Sequence, residues 1–167
     1  HFVRNTVERK GSGCATALLF RARDRPADSE TFVLTNDSRA ITPLLGQVTT
    51  FFDRHSISEK DVEGVDVAID EVLTNAIGHA FCDGYAHEIL VTLTIERRRL
   101  VIEIRDDGMP FDPLRVPPAD LGYDVDLRPV GGLGLHFVRT VMDATAYERS
   151  GGWNVLTLYK RLEQARA

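Results

Sequence analysis

The stretch from about Glu59 to Ala80 limits the choice of fold more than any other part of this chain. Val65, Ala68, Ile69, Val72, Leu73, Ala76 and Ile77 recur at helical spacing and wrap most of the helix circumference. A helix this apolar is expected to be largely buried. The same helix carries Glu71 and Asn75, four residues apart and therefore on one face. A buried carboxylate is costly without partners, so the fold must compensate Glu71 with something.

Around this helix the period changes. Val91, Leu93 and Ile95 alternate with Thr92 and Thr94, and Leu100, Ile102 and Ile104 alternate with Val101 and Glu103. The basic turn Arg97-Arg98-Arg99 joins the two runs as a hairpin. Upstream, Thr31 to Leu34 predicts an edge strand that ends at the N-cap cluster Asn36-Asp37-Ser38. Helical spacing follows at Ile41, Leu44, Leu45, Val48, Phe51 and Phe52. Downstream, Leu133 to Met142 predicts a helix with Leu135, Val138, Val141 and Met142 on one face. Ala146 to Glu148 and Trp153 to Tyr159 flank a turn at Ser150-Gly151-Gly152. The predicted fold is α+β, a two-layer sandwich with helices on one face of a mostly antiparallel mixed sheet. Residues 31–167 are assigned to one domain, and residues 1–30 to an N-terminal extension of unclear role. Pro113 to Val130 is long for a structureless loop in a compact domain, which predicts a functional lid.

Bulk properties narrow the function classes. A formal net charge of −5 argues against direct nucleic-acid binding, which usually needs a basic face. No apolar run approaches the roughly 20 residues of a membrane span. Cys14 and Cys82 sit in no metal-ligand or redox spacing, which predicts free thiols and a cytoplasmic location.

Two glycine-bearing stretches carry the chemistry, Asp106-Asp107-Gly108 and Gly131-Gly132-Leu133-Gly134. An acid at a strand end can accept a hydrogen bond from an exocyclic amine. Glycines opening a helix let its unpaired N–H groups approach phosphate oxygens. With Glu71 and Asn75 between them, the set reads as a nucleotide site. Each part also has a plainer reading: a solvated helix stripe, an Asp-Gly turn, a flexible hinge.

Three segments, Val67 to Phe81, Val101 to Pro113 and Gly131 to Asp143, together resemble the ATP-binding domain shared by gyrase, MutL and histidine kinases. Within that superfamily the chain is similar to the anti-sigma-factor serine/threonine kinases of the RsbW type. The resemblance implies a Bergerat-type fold, ATP and Mg²⁺. It implies Glu71 as catalytic base and Asn75 as metal ligand. It also implies Asp106 and Gly108 at the adenine, and Gly131, Gly132, Leu133, Gly134 and Leu135 around the phosphates. Pro110 stands where some members have a second glycine, and is read as shaping the lid entrance. Arg128 reaches a phosphate or is solvated; His79 approaches the site or packs locally. The implied partners are a STAS-domain anti-anti-sigma protein and a sigma factor. A homodimer through the sheet edge and first helix is also implied; Phe32, Leu34, Phe51 and Phe52 either serve it or lie in the core. Two other readings stay open: a non-catalytic nucleotide-binding regulator that sequesters a partner, and an ATP-binding fragment of a histidine kinase.

Overall fold

A computed structural model describes residues 28–113 and 132–163, with backbone alone for 132 and 133. Arg128, Gly131, Cys14 and the predicted lid beyond Pro113 lie outside the described residues. The elements run β1 (Asp28–Thr35), α1 (Ile41–Arg54), α2 (Glu59–Ala80), β2 (Glu88–Glu96), β3 (Arg99–Asp106), α3 (Gly132–Val141), β4 (Ala144–Ser150) and β5 (Trp153–Arg161). The strands form one sheet in the order β1-β2-β3-β5-β4, and every pairing is antiparallel.

Register sorts the residues into two faces, because directly opposed residues of antiparallel strands share a side. One row runs Phe32, Val91, Ile104, Leu156, Tyr147; the next runs Leu34, Ile89, Asp106, Asn154, Arg149. These rows face the helices, and their apolar members form one core with Val48, Phe51 and Phe52 of α1 and Val65, Ile69 and Leu73 of α2. Among the described residues the opposite face has no helical cover, and it is correspondingly polar. Ser29 and Thr94 pair through their hydroxyls at 2.9 Å, as do Thr31 and Thr92 at 3.0 Å. Arginines lie over its aromatic rings, Arg99 on Tyr159 and Arg105 on Trp153.

Local chemistry sets the helix starts. Asp37 accepts from Arg39 N and caps a short 3-10 turn that leads into α1. Ser58 accepts from Asp61 N and caps α2, while the Asp61 carboxylate takes the Ser58 hydroxyl and Glu163 N. That places the end of β5 against the start of α2. Lys160, also on β5, donates to the Val141 carbonyl at the end of α3. No helix among the described residues is long and apolar enough to cross a membrane.

One expectation needs amendment, and one open alternative is resolved. The wrap of α2 is incomplete: Glu63, Val67, Asp70, Thr74 and Gly78 form an exposed stripe at helical spacing. The helix packs on the sheet and between its helical neighbours, and its remaining side meets solvent. Phe32, Leu34, Phe51 and Phe52 are all buried, so they furnish no surface for a homodimer.

Candidate active site

The alternation of β3 places Asp106 on the same side as Leu100, Ile102 and Ile104, facing the helices rather than solvent. A carboxylate there must be compensated, and it is. Oδ1 accepts from Gly108 N at 3.0 Å and from Asn154 Nδ2 at 2.7 Å. Burial pushes the Asp106 carboxyl above its ordinary value; the two donors and the Arg149 guanidinium oppose this without cancelling it.

Gly108 is required by packing. A Cβ there would lie 2.6 Å from the Ala80 carbonyl oxygen and 2.7 Å from Ala80 Cβ. Met109 N donates to the same carbonyl at 2.8 Å, so the end of β3 is stitched to the end of α2. Beyond this turn Pro110 is exposed. The exposed His79 ring stacks on Phe111, with centroids 5.1 Å apart.

Glu71 and Asn75 occupy the middle of α2. Asn75 is buried (7% exposed), and its Nδ2 donates to the Glu71 carbonyl at 2.6 Å. That bond fixes the amide, turning its oxygen away from the Glu71 carbonyl. The Glu71 carboxylate lies against Gly134 in the first turn of α3, so close that a Cβ at Gly134 would sit 1.7 Å from Oε2. Leu135, the next residue, is buried and holds that turn onto the core. Ala80 lies nine residues beyond Glu71 on α2, roughly 13 Å along the helix. Asp106 and Gly108 therefore mark one end of the site, and Glu71, Asn75 and Gly134 the other.

Three residues absent from the sequence expectation complete the Asp106 end. Asn154, on β5 directly opposite Asp106, is 3% exposed. The Tyr147 hydroxyl donates to its Oδ1 at 2.8 Å. Arg149 donates to the Gly108 carbonyl at 2.8 Å. The available signal was strand parity, since Tyr147, Arg149, Asn154 and Asp106 all fall on the inner rows.

The residues fit the groups that the resemblance implies. A buried strand-end acid with one oxygen occupied suits an amine donor, and the opening turn of a helix suits phosphate. Among the described residues, no cluster of three or more His, Cys, Asp or Glu side chains is placed to hold a metal. Mg²⁺ suits such a site because it takes one or two protein oxygens and fills its shell with waters and phosphates. Asn75 supplies an amide oxygen in the right region.

Comparison with known proteins identifies the family. The Histidine kinase-like ATPase domain family matches residues 34–160. The serine/threonine-protein kinase BtrW of Bordetella bronchiseptica is 39% identical over 89 residues, which is 53% of this chain and 63% of that protein. The serine-protein kinase RsbW of Listeria monocytogenes is 32% identical over 111 residues, or 64% of this chain and 71% of that protein. Less than two thirds of BtrW is thus spanned. In three dimensions, a crystal structure of the RsbU and RsbW domains of a Mycobacterium tuberculosis protein superposes with a TM-score of 0.59 at 15% identity. It covers 81% of this chain and 32% of that one, which speaks to the fold alone. The chain belongs to the histidine kinase-like ATPase domain family, alongside the RsbW-type serine-protein kinases.

Proposed function

We propose that this protein is a cytoplasmic ATP-dependent serine/threonine protein kinase that acts as an anti-sigma factor and phosphorylates a STAS-domain anti-anti-sigma partner. The relatives named as serine/threonine-protein kinase BtrW and serine-protein kinase RsbW support the reaction class. The observation that carries the reading is the Glu71 carboxylate lying against Gly134 in the opening turn of α3. A carboxylate in that position stands beside the helix end that suits a phosphoryl group, within reach of a base's role.

When bound, ATP supplies the phosphoryl group and Mg²⁺ offsets its charge. Glu71 accepts the proton of the acceptor hydroxyl. Asn75 offers its amide oxygen to the metal, with its nitrogen tied to the Glu71 carbonyl. Asp106 accepts from the adenine amine, and the backbone N–H groups around Gly132, Leu133 and Gly134 face the phosphates, with Gly131 assigned the same role. The homodimer rests on the resemblance alone.

The test incubates the full chain with labelled ATP, Mg²⁺ and a STAS-domain protein. Label is expected on a serine or threonine of that partner. Glu71→Gln should lower transfer by about 10²–10⁴-fold with nucleotide affinity nearly unchanged. Asn75→Ala should weaken Mg²⁺-dependent binding as well. Wild-type transfer by Glu71→Gln would remove Glu71 from the base role. Tight partner binding without any transfer would favour a sequestering regulator instead.

A further inference from the structure

Asn154 is held by four hydrogen bonds. Its Nδ2 donates to Asp106 Oδ1 at 2.7 Å and to the Met109 carbonyl at 3.0 Å. Its Oδ1 accepts from the Tyr147 hydroxyl at 2.8 Å and from Phe111 N at 3.4 Å. These partners leave no freedom in the amide orientation. A flipped Asn154 would set its oxygen against a carboxylate and a carbonyl and its nitrogen against the Phe111 N–H, and would force the Tyr147 hydroxyl to turn from donor to acceptor. At 3% exposure, water cannot repair that mismatch.

We infer that Asn154, oriented by Tyr147, is a positioning residue that sets purine specificity by keeping Asp106 in the acceptor state. The inference rests on the proposed reading of Asp106 as the adenine acceptor. Asp106 is buried, and a buried carboxylate tends to take up a proton. A protonated Asp106 would carry a hydrogen that can be donated to the 6-oxo group of a guanine or hypoxanthine base. The ionised form only accepts, and so selects the 6-amino group of adenine. The Asn154 amide donates to Asp106 and cannot accept from it in this orientation, so it favours the ionised form. Both of the described donors to Asp106 converge on Oδ1. Oδ2 is thereby assigned to the base. Tyr147 acts one step further out: its hydroxyl holds the acceptor side of Asn154, so the donor side stays on Asp106.

Titration calorimetry on the full chain with ATP, GTP and ITP, across a range of pH, tests this. Wild-type protein should prefer ATP over both oxo-purines. Asn154→Asp keeps the shape but faces two carboxylates at one oxygen, so one must hold a proton. It should lose on the order of ten- to hundredfold in ATP affinity without a matching loss for ITP, and the acid limit of ATP binding should move to higher pH. Tyr147→Phe removes only the hydroxyl and should shift the ATP-to-ITP ratio in the same direction by a smaller factor; it serves if Asn154→Asp does not fold. A wild-type ratio and pH profile in whichever variant folds would overturn the inference. Wild-type protein that binds ATP and ITP equally would instead sink the adenine reading of Asp106.

Discussion

Gly108 and Gly134 are both constrained by a neighbour, but the neighbours differ in what they can yield. At Gly108 a Cβ would meet backbone, the Ala80 carbonyl oxygen at 2.6 Å, on a turn already bonded to that carbonyl through Met109 N. At Gly134 it would meet the tip of a side chain, Glu71 Oε2 at 1.7 Å. Backbone in a packed junction resists displacement, whereas a carboxylate can swing. Gly108→Ala should therefore cost about 1–3 kcal/mol of stability, measurable by chemical denaturation. Gly134→Ala should leave stability nearly unchanged and lower phosphotransfer by displacing Glu71. Loss of stability in Gly134→Ala, with Gly108→Ala unaffected, would contradict the packing described. The sequence pointed to both glycines but for a ligand's sake. Only the structure shows that Gly108 is also needed by the junction between β3 and α2. Asn154 was harder to see. It is the second residue of β5, close enough to the Gly151-Gly152 turn to pass as a turn residue, and it gains meaning only when register sets it opposite Asp106, 48 residues away.

At the level of elements, polar groups clamp the connection between α2 and β2. Asn36 exchanges backbone and side-chain bonds with His87, and its Nδ2 donates to the Tyr85 carbonyl. The His87 ring lies between two acids, with Nδ1 2.9 Å from Asp107 and Nε2 2.9 Å from Asp83, and leans on Phe81. The clamp thus joins the loop after α2 to the residue beside Asp106. Hydrogen bonds to Asp107 and Asp83 raise the histidine pKa above its ordinary 6.5, against a smaller opposing effect of desolvation. A folded-state value above the unfolded one means that the native state binds the proton more tightly. The contribution is full below the unfolded value of 6.5 and is lost as pH rises through the higher folded one. Melting temperatures of wild type and His87→Gln should therefore differ most at about pH 5 and converge as pH rises beyond the raised folded value. A difference independent of pH would mean that His87 contributes by packing and neutral hydrogen bonds alone. None of this was legible from one histidine in a loop, because its partners come from both sides of β2 and β3.

Across the whole molecule, what the sequence made plain is what short-range period can encode. Alternation in β2 and β3 and the 3.6-residue spacing in α1 and α2 determined which face of each element is apolar. A two-layer arrangement follows once those faces must meet. What stayed ambiguous was which apolar groups close the interior and which serve another chain. Phe32 and Leu34 on an edge strand, with Phe51 and Phe52 on the next helix, could be read either way from spacing alone. The structure places all four inside, because α1 packs on β1, the edge strand of the sheet. Phe51 is the centre of this cluster. It is fully buried, meets the Phe32 and Phe52 rings edge-on at 6.4 and 6.0 Å, and carries the His55 ring at 4.4 Å. Removing it would open a cavity among side chains fixed by two elements, with little freedom to collapse. Phe51→Ala should cost about 3–5 kcal/mol, a large share of the roughly 5–15 kcal/mol of a domain. The site is built from α2, β3, α3, β4 and β5, so the variant should keep the wild-type preference among purine nucleotides at temperatures where it is folded. Urea unfolding monitored by circular dichroism gives the first quantity and calorimetric titration the second. A loss below about 1 kcal/mol would place Phe51 at an accommodating surface rather than in a packed interior, and would return the α1–β1 edge to consideration as an interface.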